Sequence, residues 1–393
     1  MNKSLMLLLS VQFLVYVGFG LVIPVLPLVV TEQGFSDIHV GGLLTVYSLA
    51  SFFTAPIWGS LSDKMGRKRL ILIGLFGFSM SFLIFAIFSD SLIMMYVSRI
   101  IGGLFSGALY TSVTGFIGDS SSDENRNMYM GFMGMSIGLG FIFGPAIGGL
   151  LGAISINMPF YVSSILLLIL LVYASLVLKD PPRKGEAEKR AIIPKGASTL
   201  LKYRVRYLFF FSFMVTFLLA GVESTLQLFQ IDKINITSAQ LGSLFLFSGL
   251  VDFAIQGGVV RKIKDGSEWI FIIIAQVVTA VGLAMFPFTS SLAFAGFALC
   301  VFTAGNALAR TLTTSLASKE SGGKYGTAAG LSYSMDNLGR IIGPMFFTWV
   351  FTMQINLPYI IAASLGLLSI FVILTFKASK KTLREPQVKV EKT

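Results

Sequence analysis

The sequence predicts an all-α membrane protein: twelve transmembrane helices arranged as two six-helix repeats. Three observations predict it. The 393-residue chain is 54% hydrophobic and 12% charged, with mean hydropathy +0.80, so it has too little polar surface to cover a water-soluble globule of this size. Apolar runs of about 20 residues, the length that crosses a hydrocarbon core of ~30 Å, recur twelve times. Landmarks of the first half also return 199 residues later: Gly144-Pro145 as Gly343-Pro344, Pro159 as Pro358 and Gly59 as Gly258. One offset held through three landmarks indicates a duplicated unit.

Taken in order, helix 1 covers residues 5–29. It holds Pro24 and Pro27 and is followed by no small-residue cleavage pattern, so it reads as a span rather than a removable signal. Helices 2, 3 and 4 follow at 40–60, 70–89 and 93–116. Helix 5, at 128–152, carries Gly140, Gly144 and Gly148 on one face, which admits a close neighbour, and Pro145 removes a backbone donor. Helix 6 spans 157–178. Pro181, Pro182, Pro194 and a dense run of charges then break the apolar pattern, so 179–204 reads as a cytoplasmic linker between halves 1–178 and 205–376. The second set of helices falls at 205–230, 240–260, 268–287, 291–314, 327–352 and 356–376. Residues 377–393 form a basic, aperiodic tail.

Charge placement sets the expected orientation. With the N-terminus inside, 26 of the 30 Lys and Arg fall on inner segments, Lys233 alone falls on an outer loop, and Arg99, Arg310 and Arg340 lie within helices. That bias puts both termini in the cytoplasm of a cell-membrane protein. The net charge of +11 then describes a membrane topology facing anionic lipid and not a nucleic-acid surface. A single cysteine, Cys300, excludes an intrachain disulfide and a cysteine-built metal site. No GxxxxGK[ST] loop is present, so nucleotide hydrolysis is not expected, and neither cofactor nor metal is implied. The expected partners are the bilayer, a small-molecule substrate and protons, with the chain acting as a monomer rather than an enzyme.

The connection between helices 2 and 3 reads Gly59-Ser60-Leu61-Ser62-Asp63-Lys64-Met65-Gly66-Arg67-Lys68-Arg69. It resembles the loop motif of the major facilitator superfamily, and with it the resemblance implies that superfamily's fold of two six-helix halves. Asp63 and Arg67, with Gly59 and Gly66, would belong to a latch holding the outward-open state, to which Asp119 and Arg126 would add an ion pair. The equivalent of Asp63 in the second half is Lys262, so the latch is expected to be asymmetric.

Residues Gly140 to Gly149, including Gly144, Pro145 and Gly148, are similar to the motif associated within this superfamily with drug:proton antiporters. Helix 1, at Gly18 to Pro27, and helix 4, at Arg99 to Gly107, also resemble the twelve-helix NorA- and Bmr-type multidrug branch. The resemblance spans nearly the whole chain and implies export of lipophilic, often cationic compounds by alternating access. Export of one specific metabolite, sugar or lipid on the same fold, or a non-transporting receptor or assembly role, remain open readings.

Charges within the spans cost roughly 2.5–3.5 kcal/mol each on insertion scales, so they mark a cavity or a partner. They are Arg99, Glu223, Asp252, Arg310, Asp336 and Arg340. Asp336 and Arg340 lie four apart, which predicts a local ion pair. Glu223 has no partner in sequence and is the first choice for proton carrier, a role the resemblance also implies for a helix 7 acid. The branch's second acid falls at Asn306, which cannot titrate. Asp336 or Asp252 takes that role, or one acid suffices. Phe19, Tyr47, Phe141 and Gln227 complete the expected substrate cavity with Arg99, Asn306, Arg310 and Arg340.

Overall fold

A computed structural model describes residues 3–35, 38–152, 154–180, 200–236 and 238–379. Twelve long helices occupy these residues. In the first half they are α1 (Lys3–Glu32), α2 (Ile38–Met65), α3 (Arg67–Ile87), α4 (Leu92–Ser120), α5 (Asp123–Gly152) and α6 (Met158–Val177). In the second they are α7 (Val205–Ile234), α8 (Ser238–Ala254), α9 (Glu268–Met285), α10 (Leu292–Lys319), α11 (Tyr325–Met353) and α12 (Leu357–Ala378). A π turn at Ile255–Val259 and a 3₁₀ turn at Val260–Lys262 extend α8.

Among the described residues, nine helices are long and apolar enough to cross a membrane. Several outrun the apolar stretch that announced them, because backbone hydrogen bonding continues into the polar interface until something stops it. At the end of α2 the stop is Gly66, whose φ of 102° only glycine adopts cheaply. At the end of α10 it is Gly322 and Gly323, both at positive φ.

Apolar packing falls into separate sets. One cluster, from Leu7 to Leu178, includes the fully buried Phe78, Phe82, Phe85 and Phe160. Two others draw only on residues between Leu200 and Phe376. Each end of the expected linker is tied to its own side. Asp180 Oδ1 accepts from the Lys68 amide at 2.8 Å, and Arg204 donates to both Glu320 carboxylate oxygens at 2.6 and 2.8 Å. Residues 181–199 and 380–393, which hold most of the expected linker and tail, lie outside the described residues.

The two sets meet along α2 with α11 and α5 with α8. Glycine decides how closely. A Cβ on Gly330 would lie 3.0 Å from the Ala55 carbonyl carbon, and one on Gly59 would lie 2.8 Å from that of Gly326, so only hydrogen fits at either place. Beyond Ser334, whose hydroxyl donates to the Phe52 carbonyl at 2.5 Å, α11 turns its small face to α7 instead. There a Cβ on Gly339 would approach the Phe217 amide to 2.7 Å. Thus α11 bridges the sets at the end carrying the basic loops and leaves a space between them further along.

Candidate functional site

That space is an aromatic cavity in two adjoining lobes. The lobes share Tyr16 from α1, Tyr110 from α4, and Tyr333, Asp336 and Arg340 from α11. The Tyr110 and Tyr333 rings stack across the two sets at 4.5 Å and 19°. One lobe adds Thr216, Gln256, Arg310 and two methionines of α5, Met130 and Met133. The other adds Phe19 and Tyr47, whose rings lie 5.5 Å apart, with Gln12, Ser48 and Asn337. Flat rings and flexible thioethers give an adaptable apolar wall with a cation-attracting face.

The charged groups differ from the sequence expectation in their pairing. Asp336 and Arg340 do not form the predicted local pair. Thr216 Oγ1 donates to Asp336 Oδ1 at 3.0 Å, and Arg340 Nη1 reaches Glu223 Oε2 on α7 at 3.6 Å. The glycine contacts that press α11 onto α7 bring partners from the neighbouring helix nearer than the next turn of the same helix does. Glu223 is therefore not unpartnered, and its side chain is 48% exposed on the protein surface. Arg310 faces Asp252 at 3.6 Å, and Asp252 also accepts from Gln256 Nε2 at 2.5 Å. Gln256 is held in turn by Thr311 Oγ1 at 2.9 Å. At 3.6 Å neither arginine makes a hydrogen bond with its carboxylate, since N–H···O bonds lie at 2.7–3.2 Å.

At the basic end the halves are fastened. Asp63 accepts from the Gly326 and Thr327 amides at 2.9 and 2.8 Å and from Thr327 Oγ1 at 2.6 Å, so a carboxylate of α2 caps the positive N-terminus of α11. Arg67 holds that carboxylate at 2.7 Å and reaches Asp119 at 2.7 Å with its Nε. Asp119 and Arg126 do not pair with each other. Arg126 pairs with Asp123 at 2.7 Å and lies 4.9 Å over the Tyr325 ring, because it sits on the first turn of α5, where α11 passes.

The chain matches the Major Facilitator Superfamily over residues 8–344. It belongs to that family. Quinolone resistance protein NorA of Staphylococcus aureus is 29% identical over 390 residues, covering 98% of this chain and 99% of NorA. Multidrug resistance protein 1 of Bacillus subtilis is 28% identical over 383 residues, 96% of this chain and 97% of that one. Among solved structures, the human organic anion transporter MFSD10 (TETRAN) superposes with a TM-score of 0.83 at 22% identity, over 95% of this chain and all of that one. The superfamily fold, all-α and membrane-spanning many times, therefore stands as the sequence predicted.

Against the superfamily pattern, the glycine stripe of α5 has a definite neighbour. Cβ atoms on Gly140, Gly144 and Gly148 would come within 2.5–2.9 Å of α1 backbone at Tyr16, Gly20 and Leu21, so the stripe joins α5 to α1. Side chains of Phe141, Pro145 and Gln227, and the surroundings of Gly149, lie outside the described residues. Arg99 and Asn306 do not line the cavity. Arg99 is buried with its guanidinium 4.8 Å from the Phe85 ring and 5.7 Å from Phe82, because its face of α4 looks toward α3. Asn306 donates to the Val215 carbonyl at 3.2 Å, on the face of α10 that packs against α7.

The second fastening of the superfamily fold was missed in the sequence. Asn127, on the first turn of α5, donates to the Ile263 carbonyl at 3.0 Å and to Glu268 at 3.1 Å, and accepts from Ser315 at 2.6 Å. Glu268 and Asp265 in turn hold the buried Lys319 ammonium. The base stands on α3 and the acid on α4 in the first half, whereas the acid stands on α9 and the base on α10 in the second. Lys262 in place of an acid thus marks a rebuilt fastening rather than a missing one. The 199-residue offset carried a usable signal, since it maps Arg126 onto Tyr325 and Asn127 onto Gly326, the residues at both crossings.

Proposed function

We propose that this protein exports lipophilic, often cationic compounds across the cell membrane in exchange for protons, as a monomer with both termini and the basic end in the cytoplasm. Its two relatives named for quinolone and multidrug resistance, matched over nearly their full length, support the substrate class. The single observation that carries the reading is an aromatic cavity, between two halves fastened at the basic end, whose lining holds Asp336 and Arg340, with Glu223 facing the Arg340 guanidinium at 3.6 Å. On this reading residues 1–178 and 205–376 rock against each other about a linker at 179–204, and the structure is the outward-facing state.

A proton and a cationic compound each neutralise a carboxylate of this cavity, so binding of one releases the other. Glu223 and Asp336 are the coupling acids. Asp252 is the reserve, since Gln256 and Arg310 both face it. Reconstituted protein given an inward-directed proton gradient should pump ethidium. Glu223→Gln or Asp336→Asn should each remove the response to the gradient and leave passive ethidium exchange. Gradient-driven pumping retained in both variants would refute the assignment.

A further inference from the structure

Resting on the transport reading above, we propose that Gln256 is a positioning residue: pressed by α5, it holds the Asp252 carboxylate in place while the basic end is closed and frees it when that end opens. A second glycine face of α5 carries the argument. Gly131, Gly134 and Gly138 continue the line begun by Asn127, at spacings that keep them on one side of a helix. That side meets α8 of the other half. A Cβ on Gly131 would lie 2.5 Å from the Gln256 carbonyl oxygen, one on Gly134 would overlap Gln256 Oε1, and one on Gly138 would lie 2.6 Å from Asp252 Oδ2. The seam therefore runs unbroken from the Asn127 fastening to Asp252, with Gln256 between them.

Gln256 is fully buried and uses its amide at both ends. Nε2 donates to Asp252 Oδ2 at 2.5 Å and Oε1 accepts from Thr311 Oγ1 at 2.9 Å, so one side chain ties the carboxylate of α8 to α10. Among the described residues that donation is the one side-chain hydrogen bond Asp252 accepts, and Arg310 on α10 is the charged group facing it, at 3.6 Å. From α5 no charge faces it: between Asn127 and Gly140 the single titratable side chain is Tyr129, which packs into the first-half cluster. Opening the basic end parts α5 from α8, because they belong to different halves. The Gln256 amide then loses the wall that presses it onto Asp252, and water competes for both of its hydrogen bonds. Asp252, the reserve acid, thus changes its hydrogen bonding with the state of the transporter without touching the fastening itself.

Ethidium efflux is measured on the full chain in proteoliposomes, at a fixed proton gradient and across a series of pH values. Gln256→Met keeps the side-chain volume and removes both hydrogen bonds, whereas Thr311→Val frees the amide without altering it. Each should move the efflux profile to higher pH, Gln256→Met by about one to two units, the size of one hydrogen bond to a charged group. Asp252→Asn should remove that limb of the profile, and adding Gln256→Met to it should change nothing further. A merely structural glutamine gives a different pattern: efflux lowered by one factor at every pH, or a shift that persists in the Asp252→Asn background. Either result, or an Asp252→Asn profile identical to that of the unaltered protein, would overturn the positioning role while leaving export intact. Should Gln256→Met fail to fold, Thr311→Val decides by the same criteria. Absence of gradient-driven efflux from the unaltered protein would overturn export itself.

Discussion

Replacing Asp63 with alanine should open the basic end. The carboxylate makes three hydrogen bonds across the halves, two to α11 amides and one to the Thr327 hydroxyl, at 2.6–2.9 Å. Hydrogen bonds to a charged group contribute about 1.5–3 kcal/mol each net of their exchange with water. Three bonds sharing one part-exposed carboxylate do not add in full, and its place at a helix N-terminus, worth about 0.3–2 kcal/mol, is counted among them. Arg67 is not orphaned, since Asp119 and Ser62 remain at 2.7 and 2.9 Å. A net shift of about 2–4 kcal/mol toward the open form follows, or about 30- to 1,000-fold in the equilibrium between states. Spin labels at Met65 and Lys264, on exposed positions of opposite halves, placed in a Cys300→Ser background, would read the change as a longer inter-label distance by double electron–electron resonance. An unchanged distance distribution, in a variant that remains folded, would show that these bonds form without favouring either state and would refute the latch.

Three further outcomes follow from the packing. Glu268→Gln leaves the buried Lys319 with Asp265 as its remaining carboxylate and should cost about 1.5–3 kcal/mol of stability, read as a lower unfolding temperature in detergent; a Glu268→Met, Lys319→Met pair should recover most of it. Gly144→Val forces side-chain atoms into α1 backbone, starting from a Cβ 2.7 Å from the Gly20 Cα, and should lower stability by about 1–3 kcal/mol in the same assay, whereas alanine at Gly258, around which nothing lies within 4 Å, should be silent. Thr216→Val removes the hydroxyl donated to Asp336 at 3.0 Å and should change the pH dependence of ethidium efflux, measured across a series of imposed gradients, without altering expression.

The sequence by itself determined the twelve spans, the duplication and the placement of charge, because crossing a hydrocarbon core imposes a length and a polarity that composition displays directly. It also marked the glycine stripe at Gly140, Gly144 and Gly148, since residues four apart share a helix face whatever lies opposite. What it did not determine was the opposite face. That α1 receives the stripe, that Arg340 reaches Glu223 instead of Asp336, and that Asn127 meets Glu268 and Ser315 are facts about pairs of helices far apart in the chain. Only the tertiary structure decided them, because within the bilayer a long side chain takes the partner that helix crossing brings into reach, and crossing is set by which small residues let two backbones touch.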